Sequence, residues 1–153
     1  IEATEAVDAS YGILCNIRNT RFNEMEYSVP AEVGMACVRE VMDTIADGID
    51  VTFPLEVRHV GSETPWLSMF EGGPRVSVSI HDFAERDHRP YFDTIEPIFA
   101  KYGGRPHWGK VHSLSAGALR ELYPRFDDFR RIRADFDPDG RMLNEHLRAV
   151  LEA

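Results

Sequence analysis

Between Arg21 and Val29 the chain alternates, with Met25, Tyr27 and Val29 on one side and Glu24, Glu26 and Ser28 on the other. A period of two predicts a strand with one buried face and one polar face. Pro30 breaks the alternation and suits the first turn of a helix, where its missing N–H costs nothing. The period then changes. Val38, Val41, Met42 and Ile45 recur at helical spacing as one apolar stripe, and Gly48 supplies a stop. From Val51 to Val60 the alternation returns, with Val51, Phe53, Leu55 and Val57 inward and Thr52, Glu56 and Arg58 outward. His59 falls on the apolar face, where it reads as a satisfied core histidine. Pro54 puts this strand at a sheet edge or a bulge. A loop with Gly61, Pro65 and Gly72-Gly73-Pro74 leads to a third strand, Arg75 to His81. There Val76, Val78 and Ile80 face the core, while Ser77, Ser79 and His81 face away. Tyr91, Phe92, Ile95, Ile98, Phe99 and Tyr102 then form a broad helical stripe, closed by Gly103-Gly104.

Strand, helix, strand, strand, helix is the order of a ferredoxin-like half-repeat. The fold class expected is α+β, an antiparallel sheet with helices packed on one face, followed by a short helical C-terminal segment. Beyond Gly104 the texture changes: RPHWGKVHSL is irregular, and helical stretches follow at about 115–122, 124–134 and 143–151. Asp137-Pro138-Asp139-Gly140 is a turn signal between the last two. The organisation expected is a lead-in over 1–20, a first unit over 21–104 and a C-terminal segment over 105–153.

Composition narrows the class. The 153 residues are 43% hydrophobic and 10% aromatic, enough for a core without staples. Net charge is −9, with 26 acidic against 17 basic residues, and no basic stripe suggests nucleic acid. Arg125, Arg130, Arg131 and Arg133 beside Asp127 and Asp128 read as a solvated helix face. Cys15 and Cys37 form no CxxC pair and are expected to be free and buried, in a reducing, cytoplasmic setting. No apolar run approaches the roughly 20 residues that span a bilayer. The opening residues lack an initiator Met and a basic leader, and read as the start of an excised fragment.

Two constellations carry candidate chemistry. Glu56 and Arg58 share the polar face of their strand, roughly 7 Å apart from the strand rise. Alone they amount to an exposed ion pair worth about 0–1 kcal/mol. If the third strand is their neighbour, His81 joins them on one floor. The second constellation is His107-Trp108-Gly109-Lys110, which offers a mobile cation, an apolar wall and a close backbone approach. Alone it is also consistent with a turn holding a core tryptophan. His88, His112 and His146 have no partner suggested by spacing, HEXXH is absent, and no metal is expected. No phosphate-cradling glycine loop or G-x-S-x-G elbow occurs.

At these residues the chain resembles the aldonolactone oxidase family, which includes gulonolactone, galactonolactone, arabinonolactone and alditol oxidases. Four stretches carry the resemblance, in order: Met25-Glu26-Tyr27-Ser28-Val29-Pro30, Glu56-Val57-Arg58, His107-Trp108-Gly109-Lys110, and Asp137-Pro138-Asp139-Gly140-Arg141-Met142-Leu143-Asn144. The resemblance implies a fold similar to vanillyl-alcohol oxidase, with FAD held mainly by an upstream domain. Residues 21–104 would be the substrate-side cap, and 105–153 would contact the FAD domain. It implies oxidation of a CH–OH group of a sugar-1,4-lactone or alditol, with hydride passing to flavin N5 and then to O2 or another acceptor. Arg58 and Lys110 would be the fixed cations, Glu56 the carboxylate that binds substrate hydroxyls and orients Arg58, and His81 the base. His107, Lys110 and Asn144 would meet the cofactor, although His146 stands where the family often has an aromatic residue. The fragment alone is expected to be inactive. An apolar patch of Trp66, Leu67, Met69, Phe70 and Trp108 is expected where the FAD domain docks, and a second copy of the chain is the alternative cover. A reading from another class, a non-catalytic ferredoxin-like module binding a small ligand or a protein, shares the same element order.

Overall fold

A computed structural model describes residues 7–15 and 19–152 of the chain, so parts of the lead-in, Arg18 among them, lie outside the described residues. A short helix α1 (Ser10–Leu14) precedes β1 (Phe22–Pro30), α2 (Ala31–Ala46), β2 (Glu56–Val60), β3 (Arg75–Phe83), α3 (Arg89–Lys101) and β4 (Arg105–Pro106). The sheet order is β2-β3-β1-β4, and every pairing is antiparallel. β1 to β4 therefore make a complete β-α-β-β-α-β unit, where the sequence suggested only half of one. The missing strand is β4. Two residues long and ending in a proline that cannot donate to a ladder, it leaves no period to read.

One face of the sheet carries Met25, Tyr27, Val29, Val76, Val78 and Ile80, and α2 and α3 bury it. Tyr27 stacks on Phe99 with ring centroids 5.0 Å apart and donates its hydroxyl to buried Glu96 at 2.5 Å. Burial first and Glu96 second raise the Tyr27 pKa, so it stays a neutral donor. Glu96 also accepts the Ser113 N–H at 2.7 Å, tying the segment after β4 to α3.

The α2 stripe is rotated from the sequence expectation. Its buried line is Gly34, Cys37, Val38 and Val41, while Met42 is 54% exposed. Gly34 sets this angle, because a Cβ there would lie 2.4 Å from Val76 Cγ2. Gly34→Ala should therefore destabilise the protein, even though alanine favours a helix by about 1 kcal/mol. Overpacking against a β-branched side chain costs about 1–3 kcal/mol, and the net loss expected is about 1 kcal/mol. A denaturant midpoint at or above that of the wild type would contradict this packing.

The second strand is shorter than expected. Residues 51–55 lie outside it, and Val57 and His59 are exposed, so His59 is not a core histidine. β2 is the edge strand, beyond the helices that cover β1 and β3. Val51 and Leu55 still pack on the main core, but Phe53 turns to the opposite face and meets Phe22 and His81 at centroid distances of 5.6 and 5.8 Å. Cys37 is buried, whereas Cys15 is exposed; both are free.

Three helices follow: α4 (Ala116–Leu122), α5 (Phe126–Phe136) and α6 (Glu145–Leu151). Ala116, Leu119, Tyr123, Phe126, Val150 and Leu151 form their own apolar cluster, against which Leu67 and Trp108 pack. Asp137 holds the preceding turn by accepting from Arg141 and Met142 N–H groups, and Gly140 takes φ +65° there. Arg125, Arg130 and Arg131 pair with Asp127 and Asp128 at the surface, as a solvated face should, while Arg133 meets Asp137 and Glu152. Among the described residues no helix is long and apolar enough to cross a membrane.

The expected apolar patch is covered only in part by its own chain. Met69 is buried, and Trp66, Leu67, Phe70 and Trp108 are only partly exposed. Trp108 donates its indole N–H to the Leu67 carbonyl at 2.9 Å and packs on Tyr123, and the Arg125 guanidinium lies 4.3 Å from the Trp66 ring.

Candidate functional site

The side of the sheet away from α2 and α3 is polar and far from bare. Cross-strand register puts Glu24 opposite His81, Glu26 opposite Ser79 and Ser28 opposite Ser77. On the next strand Glu56 pairs with Ser79 and Arg58 with Ser77. All eight side chains therefore project from one face. Glu26, Ser28, Ser77 and Ser79 are buried there, because the short serines sink between longer charged neighbours. The strand is not half in water, as its alternation suggests.

After β4 the chain turns back over this face. The His107 N–H donates to the Glu26 carbonyl at 2.9 Å, and the Val111 N–H to the Glu24 carbonyl at 2.9 Å. Those two bonds hold the His107–Lys110 turn beside β1 and send Lys110 Nζ to Glu24 Oε1 at 2.5 Å and to Glu26 Oε2. His107 accepts the Gly109 N–H on Nδ1 and so fixes its ring in the turn.

The result is an alternating chain of charge. Glu56 meets Arg58 Nη2 at 2.5 Å, and Arg58 Nη1 meets Glu26 Oε1 at 3.4 Å. Glu26 meets Lys110, Lys110 meets Glu24, and Glu24 Oε1 lies 3.2 Å from His81 Nε2. Glu56, Arg58, His81 and Lys110 are thus brought together on one surface, joined by two carboxylates the sequence reading left unused. Alternation had already placed Glu24 and Glu26 on this face. What it lacked was the fold-back of Lys110. Burial pushes the Glu26 pKa up, but hydrogen bonds from Lys110 and Ser77 and the charges of Lys110 and Arg58 outweigh it and hold the carboxyl below its usual 4.5.

His81 has a defined tautomer in its neutral form. A carboxylate can only accept, so Nε2–H donates to Glu24 and the free lone pair is on Nδ1. Nδ1 is buried and has no partner among the described residues; Phe22 and Phe53 stand over the ring. The arrangement bears on a metal as well. Glu24, Glu56 and His81 each present a ligand atom within 4.8 Å of the others. Metal-bound histidines nearly always donate their second ring N–H, and here Nδ1 has nothing to donate to. Both carboxylates are also already held by Lys110 and Arg58.

Beside this floor lies a cavity of about 580 Å³ lined by Phe22, Glu24, His107, Trp108, Lys110 and His146 among others. Glu24 and Lys110 belong to both. His146 reaches the cavity from α6 and stands 5.9 Å from His112, whose pKa is lowered by burial first and by His146 second. Asn144 stands at the start of α6. Its Oδ1 caps α6 by accepting the Leu147 N–H at 2.8 Å, and it takes no part in the chain of ion pairs.

The comparisons with known proteins point one way. Residues 1–150 match the family described as D-arabinono-1,4-lactone oxidase. The chain is 37% identical over 145 residues to an L-gulono-1,4-lactone dehydrogenase of Mycobacterium tuberculosis, covering 94% of this chain and 34% of that protein. It is 34% identical over 135 residues to an alditol oxidase of a Streptomyces species, covering 84% of this chain and 31% of the relative. An L-gulonolactone oxidase of Scyliorhinus torazame is 30% identical over 128 residues, covering 80% and 29% respectively. The chain therefore spans about a third of the length of the curated relatives it matches.

Proposed function

The chain belongs to the D-arabinono-1,4-lactone oxidase family, and on that premise we propose that it is the substrate-side part of an FAD-dependent oxidase acting on a CH–OH group of a sugar lactone or alditol. The observation that carries this reading is the alternating ion-pair floor from Glu56 to His81 beside a cavity walled by Trp108. Sugar lactones and alditols are rich in neutral hydroxyls, which both donate and accept. A floor of fixed carboxylates and cations offers both partners at set positions. It also excludes a mobile counterion, because each cation already has two carboxylates.

The residues fit a flavin ring rather than a whole FAD. Arg58 is half exposed and Lys110 partly so, and each retains N–H groups beyond those engaged by the carboxylates. No phosphate-binding glycine loop accompanies them, so the phosphates belong to another part of the protein. When bound, FAD would supply the hydride acceptor. Arg58 and Lys110 would stabilise the negative charge that hydride removal sends toward it. Glu56 binds substrate hydroxyls and keeps the Arg58 fork aimed. The hydroxyl proton goes to Glu24, which faces the cavity, while His81 stands behind it and donates its Nε2–H to the same carboxylate. His107 and Trp108 form the wall, and the floor admits little water because its serines are sealed under charged neighbours.

The test uses the whole protein that carries this chain. It should purify with flavin absorption in the visible range. Anaerobic addition of a sugar-1,4-lactone or an alditol should bleach that absorption within seconds, given typical turnover of 1–10³ per second. A protein that holds FAD but is bleached by neither class would end this reading.

A further inference from the structure

Each cation on the floor is clamped between two carboxylates: Arg58 between Glu56 and Glu26, and Lys110 between Glu24 and Glu26. Only Glu26 is common to both clamps. Its Oε1 takes Arg58 Nη1 and the Ser77 hydroxyl, and its Oε2 takes Lys110 Nζ. The side chain is almost fully buried on β1, which is paired on both sides by β3 and β4. The Glu26 backbone carbonyl also holds the turn that carries Lys110. Two like charges brought close repel, and on a half-buried face water screens that repulsion only in part. Something must offset it if both cations are to face one substrate.

We infer that Glu26 is a positioning residue of the proposed site, a Ser77-braced carboxylate that holds Arg58 and Lys110 at a fixed separation by giving one oxygen to each. The inference rests on the functional reading above and goes beyond it, because Glu26 need not touch substrate. Glu56 and Glu24 each steady one cation. Glu26 makes the pair a unit.

The test compares wild type, Glu26→Gln and Ser77→Ala in the whole FAD-loaded protein, with two readouts. Stopped-flow reduction by a sugar lactone or alditol gives the rate constant and the half-saturating substrate concentration separately. Acylation by acetic anhydride, followed at the Lys110 peptide by mass spectrometry, reports directly how tightly the amine is held. Glutamine keeps the shape and the backbone anchor but replaces one acceptor with a donor that faces a cation. In Glu26→Gln the limiting reduction rate should fall by about tenfold, because a charge-assisted contact to each cation is lost, and Lys110 acylation should rise by about tenfold. Ser77→Ala keeps the charge and loses the brace, so both readouts should move in the same directions by less. If Glu26→Gln does not fold, Ser77→Ala decides alone.

A Glu26→Gln protein with wild-type rate and wild-type labelling overturns the inference, and so does a lower rate with unchanged labelling, since Lys110 is then still held. Loss of reaction amplitude at an unchanged rate constant also overturns it, because that marks a merely structural defect. A wild-type protein that no lactone or alditol reduces defeats the functional reading instead, and the acylation readout still judges Glu26.

Discussion

Arg58→Ala should lower the limiting rate of flavin reduction in the whole protein by on the order of 100-fold, equivalent to about 2.7 kcal/mol of transition-state stabilisation. The size follows from where the charge is needed. Hydride transfer leaves negative charge that is fully developed only at the end of the step, so a cation aimed at it acts on the rate more than on substrate binding. The geometry adds a second loss. Arg58 Nη2 and Nη1 are held at 2.5 Å by Glu56 and at 3.4 Å by Glu26. Without the guanidinium, two carboxylates are left facing the place where negative charge must build. Half-saturation should therefore change less than the rate. Arg58→Lys should recover only part, since a point charge cannot span Glu56 and Glu26 as a planar fork does. Anaerobic stopped-flow measurements give both numbers. A wild-type reduction rate in Arg58→Ala would return the Glu56–Arg58 contact to an ordinary surface ion pair.

Much of the fold was legible because its long elements bury one face each. The alternation in Arg75–His81 and the helical spacing of Tyr91, Phe92, Ile95, Ile98 and Phe99 survive in β3 and α3 almost unchanged. The readings that did not survive depended on a neighbour. Met42 fits the α2 stripe, yet Gly34 brings the helix onto Val76 and turns Met42 out. Val57 and His59 have the right parity, but their strand lies at the edge, beyond the helices. β4 has no signature of its own and exists because Ser28 and Tyr27 offer it a ladder.

The site divides in the same way. Parity was enough to place Glu56, Arg58 and His81 on one face, and the motif His107–Lys110 marked where a cation could arrive. Parity could not show that Lys110 lands between Glu24 and Glu26, which makes those carboxylates part of the site. The role expected of Asn144 came from resemblance alone; the structure adds that its Oδ1 caps α6. Under the proposed function the base is Glu24 rather than His81, since His81 donates its Nε2–H to that carboxylate and its other nitrogen is buried.

Lys110→Met should be the most destabilising single change on this face, because it removes the more buried of the two cations held between carboxylates. Lys110 is 18% exposed, Glu24 17% and Glu26 6% by side chain, so solvent screens the pair only weakly. Breaking a buried pair from one side costs about 3–5 kcal/mol, and the partial exposure of Glu24 argues for about 3 kcal/mol near neutral pH. The pH dependence gives the prediction its sign. In the wild type Glu26 titrates below its usual 4.5, so its contribution is complete above that value and is lost as pH falls through the lower folded-state pKa. In Lys110→Met the two carboxylates face each other with no cation between them, and their repulsion favours uptake of a proton. That penalty is largest at neutral pH and is relieved as pH falls and the pair takes up a proton. The stability gap between variant and wild type should thus narrow from pH 7 toward pH 4, where an apolar replacement elsewhere on the surface would leave it constant. Denaturant unfolding at several pH values measures the gap. A constant gap would mean that Glu24 and Glu26 separate once the lysine is gone and that the floor is not held by charge.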